Sequence, residues 1–204
     1  YGGGILCQGA SFSLIRCRIL NNKADYEVAG ATGGGVCVND SQFAVIWGCE
    51  IARNEALGND GDGGGIGANN SVLRIERCSI HNNVAHGTNR NGEGGGIQTC
   101  ACEVQIVQCV LYANIALGGA AVLGSSTRFE ITSCTVHGNS ASNEGGGILI
   151  NSGSSATVHN TILWNNTGAT GGDEVYVWDS GSTVHLNNCC LENNSWDGPG
   201  TVNI

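Results

Sequence analysis

Four flat side chains recur at one position of a repeated pattern, two residues before an asparagine. They are His81, Tyr112, His137 and Trp164. If successive copies of the pattern stack, these side chains form a linear strip of rings. Sugar rings stack on aromatic faces, so the strip predicts a binding surface for a linear glycan. The alternative is that the rings only cover the outer face of a sheet and stabilise it by stacking on one another.

A second candidate site is acidic. The segment 59–63 (NDGDG) places the carboxylates of Asp60 and Asp62 on alternate residues beside glycines, and Glu93 lies in the next long loop. Oxygen ligands in this arrangement suit Ca²⁺. The segment lacks the full spacing of a calcium-binding loop, so a solvated acidic loop is the alternative. The sequence therefore indicates no cofactor apart from this candidate Ca²⁺ site at Asp60, Asp62 and Glu93.

Catalytic signatures are sparse. Asp173 and Glu174 are adjacent carboxylates, but they replace two glycines of the repeat, and we interpret them as a bend adaptation rather than a catalytic pair. Glu50, Glu76 and Glu130 fall in different rows of the repeat. The five histidines show no helical metal-ligand spacing, and neither a nucleophile elbow nor a phosphate-binding glycine loop is present. The sequence names no catalytic residue and does not favour an enzyme.

These side chains belong to seven copies of a motif pair. Each copy begins with a glycine-rich step into an apolar residue, such as GGGI at 63–66, and an apolar-x-x-Asn step follows about twenty residues later. The motif asparagines lie 25 to 32 residues apart and are Asn22, Asn54, Asn83, Asn114, Asn139, Asn166 and Asn194. Self-similarity at such a period predicts stacked structural repeats.

The elements that position these side chains are short strands. Upstream of each asparagine, apolar residues alternate with polar ones, as at Leu73 and Ile75 in the third copy, and no window shows a sustained helical period. A repeat of this size cannot bury its apolar edge alone, so each copy must coil onto the next. We predict an all-β fold, a parallel β-solenoid of about seven coils and about 34 Å in length, in which like residues form ladders. Residues 1–204 form a single domain, which we expect to be a fragment of a longer chain.

Most of the eleven cysteines also follow the repeat. Six lie five residues before a motif asparagine, namely Cys17, Cys49, Cys78, Cys109, Cys134 and Cys189, and Thr161 takes this place in the sixth coil. Such position-locked cysteines are typical of small buried stacking residues, and we favour free thiols over disulfides. Adjacent coils lie about 4.8 Å apart, which still permits a bridge. Cys100 and Cys102 are the local pair that we expect if a bridge forms.

The pattern resembles the right-handed parallel β-helix proteins of the pectate-lyase-like superfamily. In motif it is most similar to the repeats of polymorphic outer membrane proteins, which pair a Gly-Gly-Ala-Ile type step with Phe-x-x-Asn. Here the steps read Gly-Gly-Gly-Ile and Ile-x-x-Asn, as from Ile51 to Asn54 and from Ile80 to Asn83. The resemblance covers nearly the whole chain. It implies a right-handed coil, an extracellular or cell-surface location, and adhesive, structural or polysaccharide-directed roles.

The amino-acid composition limits the kinds of partner that the chain is expected to bind. Eight Lys and Arg oppose 17 Asp and Glu, and the net charge is −9, so binding to nucleic acid is not expected. No apolar run is long enough for a membrane span. We predict an extracellular structural or adhesive rod of a bacterial surface or secreted protein, with a polysaccharide or cell-surface ligand as its partner. The alternatives are a polysaccharide-binding or polysaccharide-cleaving module, and a subunit of a head-to-tail extracellular filament. The partners expected at the ends of the rod are further domains of the same chain or copies of the chain itself.

Overall fold

The computed structural model describes residues 2–26, 32–192 and 195–204, apart from the side chains at 26, 59–60 and 88–91. The regular elements of these ranges are strands, and no helix occurs among them. The first three and a half coils contain β1 (Ile5–Gln8), β2 (Phe12–Ile15), β3 (Arg18–Leu20), β4 (Lys23–Tyr26), β5 (Val36–Asn39), β6 (Ala44–Trp47), β7 (Glu50–Ala52), β8 (Glu55–Asp60), β9 (Ile66–Asn69), β10 (Val72–Glu76), β11 (Ser79–His81), β12 (Val84–Asn91), β13 (Ile97–Cys100) and β14 (Glu103–Val107).

The remaining coils contain β15 (Val110–Tyr112), β16 (Ile115–Ala116), β17 (Val122–Ser125), β18 (Arg128–Thr132), β19 (Thr135–His137), β20 (Ser140–Ala141), β21 (Ile148–Asn151), β22 (Ser155–His159), β23 (Ile162–Trp164), β24 (Thr167–Gly168), β25 (Val175–Val177), β26 (Thr183–Asn187), β27 (Cys190–Leu191), β28 (Trp196–Asp197) and β29 (Thr201–Asn203).

Four parallel sheets run along the molecule, and each coil contributes one strand to each sheet in turn. Sheet A joins β1, β5, β9, β13, β17, β21, β25 and β28, and sheet B joins β2, β6, β10, β14, β18, β22, β26 and β29. Sheet C joins β3, β7, β11, β15, β19, β23 and β27, and sheet D joins β4, β8, β12, β16, β20 and β24. The predicted all-β parallel β-solenoid is confirmed. Sheet D has six described strands, so about six turns close completely, one fewer than the motif copies.

The core fills the space between the sheets with rows of like side chains. Ile66, Ile97 and Val122 are partners in sheet A, and each is at most 1% exposed. Where a row breaks, a neighbouring residue compensates for the change in volume. A Cβ on Gly124 would lie 2.1 Å from the Phe129 ring, so the missing side chain makes room for the largest fully buried residue of the core.

Three of the four corners in a coil are formed by the same backbone conformation. A single residue with positive φ turns the chain, and the residue after it points inward. Arg53, Asn82 and Ala113 have φ of 55°, 53° and 52°, and each directly precedes a motif asparagine. Residues with positive φ also precede the cysteines of the repeat, for example Arg77 with φ 54° before Cys78. Such left-handed residues reverse the chain direction without a longer loop.

The fourth corner is the glycine-rich step, and its first glycine combines a positive φ with a lack of room for a Cβ. From Gly33 to Gly172, this position has φ between 58° and 84° in the coils that the structure describes. A Cβ on Gly94 would also lie 2.6 Å from the Cβ of Gln98. The second and third positions accept other residues, namely Ala120–Ala121 and Asp173–Glu174. Within the described ranges, no helix is long and apolar enough to span a membrane.

Candidate functional site

The four predicted rings form one row on adjacent strands of sheet C, with His81, Tyr112, His137 and Trp164 in register. The rings of His81 and Tyr112 stack with centroids 4.5 Å apart, and those of Tyr112 and His137 stack at 5.3 Å. Each stacked pair covers one face of both of its rings. The row therefore presents mainly ring edges to solvent along its stacked part, and Trp164 at its end is 46% exposed.

One end of the row contacts a carboxylate that forms an ion pair with an arginine. His81 is only 8% exposed, and its Nε2 lies 3.5 Å from Oε1 of Glu50. Arg18 Nε donates a 2.7 Å hydrogen bond to Oε2 of the same carboxylate. The hydrogen bond from Arg18, together with the charges of Arg18 and His81, lowers the pKa of Glu50. These contacts favour a stabilising role for the row, while Trp164 keeps a surface that a ligand can reach.

Apolar side chains flank the row on the same face. Val110 and Ile162 occupy the second outward row of sheet C and are 38% and 45% exposed. Ile115, at the start of sheet D, is 52% exposed. We call these three exposed residues and Trp164 the sheet C patch. Exposed apolar patches of this kind mark contact sites more often than isolated residues do.

The acidic candidate site lies at the bend between sheets D and A. Asp62 and Glu93 occupy the same position of adjacent coils, directly before the glycine step, and the Glu93 N–H donates to Asp62 Oδ1 at 3.0 Å. Burial, together with the charges of Asp62 and Glu144, raises the pKa of Glu93 to about 7. Asp60 lies in β8, but its side chain is outside the described part of the chain. Among the described residues, no three His, Cys, Asp or Glu side chains form a metal-binding group.

A cleft of about 260 Å³ opens on the outer face of sheet B. It crosses β14, β18 and β22 and is lined by Glu103, Val104, Gln105, Arg128, Phe129, Glu130, Thr157 and His159. Glu103 lies opposite Arg128 in the register, and Gln105 lies opposite Glu130. Carboxylates beside an imidazole can transfer protons, and the polar side chains can hydrogen-bond sugar hydroxyls.

The sequence did not predict this cleft. Glu130 stood out as a strand carboxylate, but nothing linked it to Glu103, Arg128 or His159. Gln105 Nε2 donates to Glu130 Oε2 at 3.0 Å and thereby positions that carboxylate. The signal that would have found the cleft is the set of outward positions on adjacent strands, compared at equal distance from the motif asparagine.

The motif asparagines form a continuous hydrogen-bonded ladder. The backbone N–H and the Nδ2 of Asn54 both donate to Oδ1 of Asn83, each at 3.0 Å, and the same Nδ2 donates to the carbonyl of Ile19 at 2.9 Å. In the same way, the backbone N–H and the Nδ2 of each motif asparagine donate to Oδ1 of the motif asparagine in the following coil. This holds for Asn22, Asn54, Asn83, Asn114 and Asn139. Asn194 lies outside the described residues.

A carboxylate takes the next place in this ladder. Asn166 donates its backbone N–H to Oε1 of Glu174 and its Nδ2 to Oε2. Glu174 is fully buried, and burial raises its pKa to about 7 although the hydrogen bonds from Asn166 lower it. From the sequence, Asp173 and Glu174 are interpreted as a bend adaptation. In the structure, Glu174 also accepts the two hydrogen bonds that, in other coils, the motif asparagine of the following coil accepts.

The cysteines of the repeat form a second interior ladder. The backbone N–H of Cys49 donates to Sγ of Cys78 at 3.4 Å, and Cys78 and Cys109 repeat the contact with the next thiol. The eleven cysteines, including Cys100 and Cys102, are free thiols in the structure. Contacts with the thiols of Cys134 and Cys78 and burial raise the pKa of Cys109, so this thiol stays protonated at neutral pH.

A third ladder of hydroxyl side chains was not predicted. It follows the corner between sheets A and B, where the N–H of Ser41 donates to Oγ of Ser71 and that of Thr127 donates to Oγ of Ser154, both at 2.9 Å. Cys102 belongs to this ladder rather than to the cysteine row, because its N–H donates to Oγ1 of Thr127. The signal was present in the sequence, since these residues lie twelve or thirteen positions before a motif asparagine.

A family model described as "Right handed beta helix region" matches residues 1–160. The sheets continue in the same register beyond residue 160, through β23 to β29. No curated protein matches the chain significantly.

Proposed function

The chain belongs to the right-handed β-helix family, and from that premise we propose that it is a structural and adhesive rod of an extracellular bacterial surface or secreted protein. The observation that carries the proposal is the asparagine ladder, which continues from Asn22 to Asn166 and ends on Glu174. Eight strands at about 4.8 Å give a rod about 34 Å long. A column that joins every coil to the next by buried hydrogen bonds suits a rigid spacer.

Surface placement is supported by the motif. The Gly-Gly-Gly-Ile and Ile-x-x-Asn steps resemble the repeats of polymorphic outer membrane proteins, with aliphatic residues in place of phenylalanine. A net charge of −9 and few basic residues fit a role away from nucleic acid. The resemblance and the charge together favour an extracellular or cell-surface location.

The sheet C patch is the surface that we assign to adhesion. Val110, Ile115, Ile162 and Trp164 expose between 38% and 52% of their surface on one side of the rod. Apolar side chains on a rigid support lose little entropy on binding, which favours contact with a cell-surface ligand.

An adhesion assay tests this proposal. Beads coated with the full chain are washed over immobilised polysaccharides and over cell surfaces, and retention is counted under flow. We expect retention above that of albumin-coated beads, and a loss of at least fivefold when Ile162→Ser and Trp164→Ala are combined. Ser155→Ala, an exposed change on sheet B, is the matched control and should keep full retention. Equal retention by the double variant would exclude the sheet C patch, and no retention at all would refute the adhesive role.

A polysaccharide-binding module is the second candidate, favoured by the ring row that ends at the exposed Trp164. Glycan-array binding that is lost with Trp164→Ala and Tyr112→Ala would support it.

A polysaccharide-cleaving activity would instead use the sheet B cleft, where Gln105 positions Glu130. New unsaturated or reducing sugar ends that disappear with Glu130→Gln would support cleavage. Growth of particle length with protein concentration would favour a head-to-tail filament.

A further inference from the structure

Two carboxylates are stacked at the bend before sheet A. The N–H of Gly33 donates to the carbonyl of Asp62, and the N–H of Gly63 donates to the carbonyl of Glu93, so these residues follow one another along the same column. The Glu93 N–H also donates to Asp62 Oδ1 at 3.0 Å, which holds the two residues together. Like charges at directly opposed positions of adjacent strands repel each other.

A buried amide lies beside this pair. Gln98 is an outward residue of β13, yet it is only 7% exposed, and its Oε1 has no hydrogen-bond partner in the described part of the chain. A Cβ on Gly94, the residue that follows Glu93, would lie 2.6 Å from the Cβ of Gln98. The side chain of Gln98 therefore leaves its strand next to the Glu93–Gly94 peptide.

The neighbouring coils show which residue covers Gln98. In two other coils, the residue before the glycine step lies over the outward residue of the following coil. Thr32 lies 2.6 Å from the Cβ position of Gly67, and the Cβ position of Gly118 lies 3.5 Å from Leu149. Asp62 holds the equivalent place over Gln98. An acceptor without a donor thus lies between the place of Asp62 and the Glu93–Gly94 peptide.

We propose that Asp62, Glu93 and Gln98 bind a divalent cation, with Ca²⁺ as the preferred ion. A single cation would neutralise the repulsion between the carboxylates and supply the partner that the Gln98 carbonyl lacks. Carboxylate and amide oxygens are the ligands of hard cations. Ca²⁺ is preferred because it accepts irregular oxygen geometry, whereas Mg²⁺ demands a near-ideal octahedron. This assignment goes beyond the proposed rod function and does not depend on it.

Calorimetric titration of the full, chelator-treated chain with CaCl₂ at pH 8 tests the site. We expect saturable binding of one Ca²⁺ per chain and a rise in thermal midpoint, because a ligand that binds only the folded state stabilises it. Glu93→Gln and Gln98→Leu should each weaken the affinity at least tenfold. Glu144→Gln, an acidic residue of the same column beyond Gly118, is the matched control and should stay within twofold of the wild type.

Gln98→Leu keeps the proposal testable if the Glu93 variant does not fold. Leu123 and Leu149 occupy the equivalent outward position in the next two coils, so this change is compatible with the fold. Without calcium its thermal midpoint should equal or exceed that of the wild type, while the response to calcium is lost. Absence of saturable binding up to 10 mM CaCl₂, or unchanged affinity in both variants, would overturn the site. Equal affinity for MgCl₂ would overturn the choice of Ca²⁺.

Discussion

Individual buried polar side chains carry much of the specificity of this core. Asn54, Asn83 and Asn114 are fully buried, and each has donors and acceptors satisfied by the coil before and the coil after. An asparagine can play this part because its amide offers both a carbonyl and an NH₂ group. A buried hydrogen bond contributes modestly when it is made, but an unmet buried donor costs about 1–3 kcal/mol. Replacing a single member therefore affects groups in two adjacent coils.

Asn114→Ala should lower the free energy of unfolding by about 3–5 kcal/mol. The change removes the acceptor for the N–H and Nδ2 of Asn83 and the donor to the carbonyl of Ile80. Urea denaturation of both proteins measures the difference. Asn187→Ala replaces an exposed asparagine of β26 and should change stability by less than about 0.5 kcal/mol. Equal losses in the two variants would contradict the role of the ladder.

Glu174 predicts a pH dependence of a definite sign. Its pKa is raised from 4.5 to about 7 in the folded protein. A raised carboxyl pKa disfavours the charged form in the folded state, so its contribution to stability falls as pH rises from about 4.5 to about 7. The loss amounts to about 3 kcal/mol. The free energy of unfolding, measured at pH 4.5 and pH 8, should fall less in Glu174→Gln than in the wild type.

The control for this prediction is Glu55→Gln, an exposed position at the start of β8. It should keep the pH dependence of the wild type. Glu93 has a raised pKa in the same window, so the quantity to compare is the change in slope between variant and wild type. An unchanged slope in Glu174→Gln would show that the carboxylate is not responsible.

At the scale of elements, the corners decide how short strands become a coil. Single residues with φ near 50° turn three corners, and one glycine with φ of 58° to 84° turns the fourth. Left-handed conformations cost most residues about 1 kcal/mol or more, so the corners are maintained by the ladders that follow them. At the fourth corner, contact with the adjacent backbone is added to this conformational cost.

The three positions of the glycine step should therefore differ in tolerance. Gly94→Ala should lower the free energy of unfolding by about 3 kcal/mol, since it combines a φ of 66° with a Cβ placed 2.6 Å from the carbonyl oxygen of Ile97. A Cβ on Gly96 would also lie 2.6 Å from a backbone oxygen, that of Ala121, but Gly96 has no positive φ and Ala121 occupies its position in the next coil, so Gly96→Ala should cost less than Gly94→Ala. Thermal or urea denaturation of both variants provides the comparison. Equal destabilisation would mean that the step is glycine-rich for packing alone.

The whole molecule is a one-dimensional stack in which each coil contacts its neighbours. Register is therefore a property of the complete coil rather than of any single strand. Loop length can vary at the bend after sheet D, where the pairing of β8 with β12 shifts register between Gly87 and Asn91, whereas residues 84–87 stay aligned with residues 55–58. Such stacks have a stability that is approximately the sum of the coils and their interfaces.

Deleting residues 115–139 removes one complete coil, including β16, β17, β18 and β19. The join from Asn114 to Ser140 reproduces the native order of an asparagine followed by a strand of sheet D. We expect a folded rod with the same circular dichroism shape and a length shorter by about 4.8 Å in small-angle scattering. Deleting only residues 115–127 breaks the register and should abolish cooperative folding. A folded product from the shorter deletion would contradict the stacking requirement.

The sequence by itself determined the fold class, the rows of the core and the asparagine ladder. These features join equal positions of successive coils, so a repeat in the sequence is sufficient to locate them. Cys78 and Cys109, or Asn83 and Asn114, are neighbours because they occupy the same place in the period. The hydroxyl ladder was open to the same reasoning.

Only the tertiary structure decided the contacts between unequal positions. Glu174 meets Asn166 eight residues away in the chain, and the sheet B cleft combines Glu103 with His159. Each depends on the path of a bend and on the direction in which a side chain leaves its strand. The coils are 25 to 32 residues long and differ in the length and path of their bends. Which side chains come into contact there is therefore decided by the three-dimensional packing and not by the period of the sequence.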